Sequence, residues 1–316
     1  LAGMLLLMRT MQERGIGPVP ELLERSDTIA RIRFTRESMI ALFNDFYDAE
    51  KVEQKVKSKW SGQKELRIET TTVQKNGKDS VEKSFVYEIV QPKGAFFTPL
   101  FPSNPDLYLN LWRNMLWNTL RGKPTTRNPY KERSEGQNAN EGVKTWDTFV
   151  KAAAGGRKSP TDSISSALLI GAQDENAERV PFQDAHRLNL LLHFWTIPTA
   201  LYVVRQFDEK GKKSESGFAF AIPDPSNLIF FLEDICEHMR SLESQPDSYW
   251  KKRPIDAIID VPTESGLEFL HHYMRGKTRK QEIRYSLTAV ETYWLAKKGN
   301  NILVLDVGRI CPNPLL

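Results

Sequence analysis

Two stretches in the last third of the chain repeat one order of features. FAFAIPDPSNLIFFLEDICEHM (218–239) and DAIIDVPTESGLEFLHHYM (256–274) each run strand, Pro-containing turn, hydroxyl N-cap, helix. A chain built this way must lay amphipathic helices on a sheet, which limits it to α+β or α/β packing. Two copies do not make a solenoid, where each repeat needs several stacked neighbours to bury its apolar face. Hairpin signals then favour α+β with antiparallel strands. ELRIETTTV and FVYEIV flank Asn76-Gly77, the dipeptide best suited to a two-residue hairpin turn. Their charged, threonine-rich composition predicts an exposed ribbon rather than a sheet centre. A second hairpin with a charged tip is predicted over YVVRQFDEKGKKSESGFAFAIP.

The first helix carries Leu1, Met4, Leu5, Met8 and Met11 at three- and four-residue spacing and is expected to end near Gly15, before PVPE resets the direction. A strand over ARIRF follows, and Thr35 is the expected N-cap of ESMIALFNDFYD. Asp106 opens a helix with Tyr108, Leu111, Trp112, Met115 and Leu116 on one stripe, stopping near Gly122. Residues 121–142 read as a long polar connection, Trp146–Ala154 as a short helix, and 155–163 as a second flexible, basic connection. RLNLLLHFWTI (187–197) belongs in the core. Three regions result: 1–120 with the exposed hairpin, 121–163 around the basic loops, and 164–316 as a second α+β region, together one continuous domain. Both ends look cut from a longer protein.

With 316 residues, 40% hydrophobic and 27% charged, the chain is globular. Cys236 and Cys311 form neither a disulfide framework nor a zinc signature, which points to a reducing, cytoplasmic compartment. The apolar run Leu5–Met8 is too short to span a bilayer, so no membrane role is expected.

Catalytic motifs fail on inspection. Gly122-Lys123-Pro124-Thr125 lacks both the earlier glycine and the hydroxyl residue directly after lysine that a phosphate loop requires. His271 and His272 point about 100° apart on a helix, so they do not share a metal easily, and no cofactor or metal is expected. His193 lies in an apolar run and reads as a satisfied core histidine. Asp256, Asp260 and Glu264 are the best enzymatic candidates, as Mg²⁺ ligands for phosphodiester cleavage. The competing reading ends a strand with the two aspartates and sets Glu264 at a helix N-terminus. It is preferred because no lysine or further acid falls at a nuclease-like spacing.

The charge distribution is more informative. The formal net charge is +4 and the pI about 8.9, and RGKPTTRNPYKER (121–133) holds five cations against the single acid Glu132. Arg121 and Lys123 suit the end of the preceding helix, but Arg127, Lys131 and Arg133 need another reason. Phosphate contact supplies one, with Thr125, Thr126, Asn128 and Tyr130 as hydrogen-bonding partners for sugar, phosphate or base edges. KVEQKVKSKW (51–60) and RGKTRKQEIR (275–284) are further basic segments.

Together, LAGMLLLMRTMQERGIGPVPELLE, FVYEIVQPKGAF, LWRNMLWNTLRGKPTTRNPYKERSEG, LIGAQDENAERVPF, NLLLHFW and GFAFAIPDPSNL resemble the Cas-eight large subunit of type I CRISPR Cascade, of the I-B-like variant labelled MYXAN. The ordered set carries the resemblance, from the first residue to about 230. It implies a non-catalytic subunit that holds the 5′ end region of a guide CRISPR RNA, binds double-stranded target DNA, reads the protospacer-adjacent motif (PAM) and promotes duplex opening into an R-loop. Implied partners are the Cas-five, Cas-seven, Cas-six and small-subunit proteins, and a recruited helicase-nuclease or, in transposon-borne systems, a transposition targeting protein. Family members continue into a C-terminal helical region that this sequence lacks. Guide pairing supplies sequence specificity in such complexes, so the protein reads only a short motif and holds backbones. The expected nucleic-acid contacts are Arg121, Lys123, Thr126, Arg127, Asn128, Lys131 and Arg133. Lys93 in QPKGAF is added as a groove contact. Lys277, Arg279 and Lys280 either follow the displaced strand or form a solvated helix end; Gln173, Asp174 and Asn176 are either contacts or turn formers.

Overall fold

The structure, a computed structural model, describes residues 1–75, 78–93, 124–155, 161–163, 183–207, 209–211, 213–243, 261–275, 286–298 and 301–312. The architecture is α+β, with every strand pair among the described residues antiparallel. Helix α1 (Ala2–Glu13) buries almost its whole length, from Ala2 through Met11. It ends where Gly15 takes φ 66°, a conformation glycine adopts without a Cβ penalty. β1 (Glu21–Arg25) and β2 (Ala30–Arg33) form a small ribbon. The expected reversal at PVPE thus leads into a strand that no alternation announced, since all of ELLER is exposed.

Thr35 caps α2 (Arg36–Phe46) reciprocally. Its Oγ1 accepts from the Ser38 N–H at 3.1 Å, and Ser38 Oγ accepts from the Thr35 N–H at 2.9 Å. Thr35→Ala is expected to cost about 1 kcal/mol, read as a lower urea midpoint with an unchanged slope. An unchanged midpoint would show that packing of Met39, Leu42 and Phe43, all buried, fixes this helix without its cap.

β3 (Ala49–Val56), β4 (Arg67–Lys75) and β5 (Lys78–Pro92) make a three-stranded sheet in the order β3-β5-β4. The Lys75↔Lys78 pair brackets the turn expected to contain Asn76-Gly77. The exposed-ribbon expectation holds for the described side chains Arg67, Ile68 and Thr70–Thr72 of β4 but not for β5. β5 is the central strand and buries Val86 and Tyr87.

From Pro124 on, the stretch expected to be a loop is instead helix α3 (Pro124–Ser134), followed by α4 (Asn140–Ala154), which starts earlier than expected. Pro124 opens α3, where a missing N–H costs nothing. Pro129 lies inside the helix and removes one of its hydrogen bonds. That loss is offset by burial of Pro129 and Tyr130, whose ring meets Tyr47 edge-on at 4.9 Å. Tertiary packing overrides the local loop signal here.

β6 (Thr161–Ser163) and β7 (Gln183–Ala185) pair briefly before α5 (His186–Leu191). The 187–197 stretch buries Leu190, His193, Phe194 and Ile197, as its composition required. His193 is the satisfied core histidine expected: Nδ1 lies 2.8 Å from the Tyr47 hydroxyl. The larger sheet runs β11-β10-β9-β8, comprising β8 (Ala200–Phe207), β9 (Lys213–Pro225), β10 (Leu287–Lys298) and β11 (Asn301–Ile310). Helices α6 (Leu228–Glu243) and α7 (Pro262–Arg275) fill the two helical slots of the repeated pattern. Their caps differ from expectation. The Asn227 side chain, not a hydroxyl, accepts from the Phe230 N–H at 3.0 Å, and Thr263 lies within α7. Glu264 does occupy the first turn of α7. One contiguous core joins α1, α2, α3 and α5 to β8–β10, α6 and α7.

Candidate nucleic-acid interface

The helix over Pro124–Ser134 sorts its described charges by angle. At about 100° per residue, Arg127, Asn128 and Lys131 share one arc, while Pro129, Tyr130 and Arg133 share the opposite one. Tyr130 is 2% exposed, whereas Asn128 and Lys131 are exposed and Arg127 is half-buried. Partial burial pulls the Arg127 guanidinium down from its ordinary pKa, though an arginine stays protonated at any relevant pH.

Arg133 turns inward. Its guanidinium donates to the Gln137 carbonyl at 2.8 Å and to Asp48 Oδ1 at 3.3 Å, with only 22% of the side chain exposed. Lys93 likewise has an internal partner, donating to Glu50 Oε2 at 3.0 Å, which holds its ammonium above the ordinary value. Neither cation is a bare surface charge.

The same holds along the neighbouring sheet. Lys51 lies 3.4 Å from Glu88 and 3.7 Å from Glu135 at the end of α3, and Lys55 bonds Glu69 at 2.7 Å. Arg67 forks onto Glu53 with two 2.6 Å bonds and reaches Glu69 at 2.9 Å. The basic segment KVEQKVKSKW is therefore largely a lattice of ion pairs, one to the adjacent strand β5 (Lys51–Glu88) and others in which long side chains of β3 and β4 meet across it. Its tail differs. Lys57 there, and Lys64 in the connection that follows, have no carboxylate within ion-pair distance among the described residues, and they flank Trp60. Sequence reasoning marked the segment as basic but did not separate its paired lysines from its bare ones. Placing the glutamates of β4 and β5 in register would have done so.

Arg121 and Lys123 lie outside the described residues, as do Lys277, Arg279, Lys280, Gln173, Asp174, Asn176, Asp256 and Asp260, together with the helix expected from Asp106. Thr126 lies in α3, with its side chain outside the description. Among the described residues no three His, Cys, Asp or Glu side chains gather as metal ligands. The adjacent histidines differ in burial: His272 is buried and bonds Glu268 at 3.0 Å, while His271 is exposed, and their rings meet edge-on at 5.4 Å. No described helix is long and apolar enough to cross a membrane.

The cation-bearing helix α3 thus packs beside the three-stranded sheet within a mixed α+β fold. Residues 19–283 match the family model described as the type I-B CRISPR Cas8b N-terminal domain. That match covers most of the chain, and the chain belongs to this family, as a Cas8 large subunit of a type I-B Cascade complex. No curated protein sequence is similar enough to count as a relative.

Proposed function

We propose that this chain is a non-catalytic, nucleic-acid-gripping part of the type I-B large subunit, and that the outward arc of α3 contacts a phosphate backbone at the PAM end of the target. The carrying observation is the division of α3: Arg133 is bonded to Asp48, while Arg127, Asn128 and Lys131 share the opposite arc. Two cations one helical turn apart suit successive phosphates, and Asn128 beside them is a residue type that reads adenine through paired hydrogen bonds. In this reading the subunit holds the 5′ region of the guide RNA, reads the PAM and helps open the duplex. The Cas-five, Cas-seven, Cas-six and small-subunit proteins surround it, and cleavage or transposition is left to a recruited protein. No cofactor is required.

The test is binding of the guide-loaded complex to duplexes with randomised PAM positions, at two salt concentrations with Mg²⁺ present. Arg127→Ala and Lys131→Ala are each expected to weaken all duplexes alike and to lower the salt slope by about one. Asn128→Ala is expected to change the preferred motif with the salt slope intact. Unchanged binding and selection in all three variants would return this arc to ordinary solvated surface. Mg²⁺-dependent cleavage abolished by Asp260→Asn would instead establish the rival nuclease.

A further inference from the structure

The connection between β3 and β4, residues 57–66, carries Lys57, Lys59 and Lys64 against the single acid Glu65. It folds back over the sheet: the Trp60 N–H donates to the Tyr87 hydroxyl at 2.9 Å, Gln63 Nε2 donates to the Glu88 carbonyl at 3.3 Å, and the Leu66 N–H donates to the Val86 carbonyl at 2.8 Å. The Trp60 indole lies flat on the buried Tyr87 ring, with centroids 4.5 Å apart and planes 16° from parallel. Trp60 remains half-buried, and its exposed part borders an open cleft of about 740 Å³ lined by residues 59–65. Lys59 is held by Glu65 at 3.1 Å, while Lys57 and Lys64 make no ion pair with a described carboxylate, Lys64 lying next to Glu65 and sharing its field.

From this we infer a single-strand binding site: an unpaired base stacks on the outer face of Trp60 while Lys57 and Lys64 meet the flanking phosphates. The inference rests on the proposed nucleic-acid role but uses a different part of the fold from α3. A tryptophan already fixed by a stacked tyrosine and a backbone hydrogen bond loses little freedom when a base arrives. Stacking accepts any base, and phosphate contacts carry no sequence information. An intact duplex offers no unpaired base face to this platform, so a single strand is the partner that fits. The strand is either RNA, as in a guide, or DNA displaced from an opened duplex.

The test measures fluorescence anisotropy of labelled twelve-nucleotide oligo(dT), oligo(U) and a duplex against the whole chain. Trp60→Ala is expected to weaken single-strand binding about tenfold, the lower end of the effect of losing one base–aromatic stack. Trp60→Phe, which keeps a ring over Tyr87, restores most of it. Lys57→Gln combined with Lys64→Gln, which leaves the Trp60–Tyr87 pair alone, flattens the single-strand salt slope. A larger loss on oligo(U) identifies RNA as the partner, and a larger loss on oligo(dT) identifies DNA. Lys131→Ala serves as the parallel arm on duplex. If it weakens duplex binding while the loop variants change nothing on either single strand, this site is overturned and the α3 reading stands. If no variant alters any binding, both fall. A Trp60→Ala loss unrescued by phenylalanine and matched by a lower melting temperature would overturn the site as a mere lid on Tyr87.

Discussion

Gly217→Ala is expected to destabilise the protein by at least about 3 kcal/mol, seen as a melting temperature roughly 5 °C lower or as failure to accumulate folded chain. Gly217 sits in β9, an inner strand of the four-stranded sheet, opposite Val204 where the β8 register shifts. Its φ of 137° is one that side-chain-bearing residues rarely adopt. A Cβ there would also overlap the Leu295 carbonyl oxygen of β10 and crowd the Trp294 indole nitrogen. Both obstacles are backbone or rigid ring, so neither yields by a rotamer change. Thermal and urea denaturation of the purified variant give the answer. A midpoint within about 0.5 kcal/mol of wild type, as for an ordinary surface change, would mean that β9 and β10 can part locally at this bulge without cost to the fold.

Acid is expected to weaken the protein through His238. This side chain lies in α6 against the rings of Phe269 and Tyr273 of α7, with centroids at 5.5 and 5.7 Å. Burial, and then repulsion from His272, lower its pKa from 6.5 to about 4. The charged groups around it are already committed. Glu268 bonds His272, and Asp234 accepts from Ser286 at 2.7 Å and from Tyr273 at 3.3 Å. With the folded pKa below the unfolded one, the unfolded chain binds the extra proton first. The His238 contribution is therefore complete above pH 6.5 and is lost as pH falls toward 4, on the order of 3 kcal/mol in all. Carboxylates titrate over part of the same range, so the comparison is with His238→Phe. The stability of the wild type relative to His238→Phe should fall steadily from about pH 6.5 to 4. Parallel curves would show that His238 takes up its proton in the folded state as easily as in water.

The elements legible in the sequence were those fixed by local chemistry. Thr35 caps α2 and Gly15 ends α1 because the capping partners lie within a few residues. The two hairpins followed from short connections between alternating strands. α3 was hidden because its two prolines are a local signal, while burial of Tyr130 against Tyr47 is a long-range one. β1 was hidden because ELLER, exposed throughout, shows no two-residue period. The candidate interface was half legible. Composition located the cations, but the inward turn of Arg133 depends on Asp48, 85 positions earlier in the chain. Trp60 finds Tyr87 only once β3 and β5 are in register.

The cross-strand lattice of Lys51, Lys55 and Arg67 with Glu53, Glu69 and Glu88 also limits the proposed binding of nucleic acid. A cation that already neutralises a carboxylate releases no condensed counterion from a phosphate unless it first abandons its partner. The number of ions liberated on binding therefore tracks the bare cations, not the lysine and arginine total. Substituting Glu69 or Glu53 would unmask latent positive charge, so deleting an acid on this sheet should strengthen nonspecific adsorption to nucleic acid more than adding a lysine elsewhere.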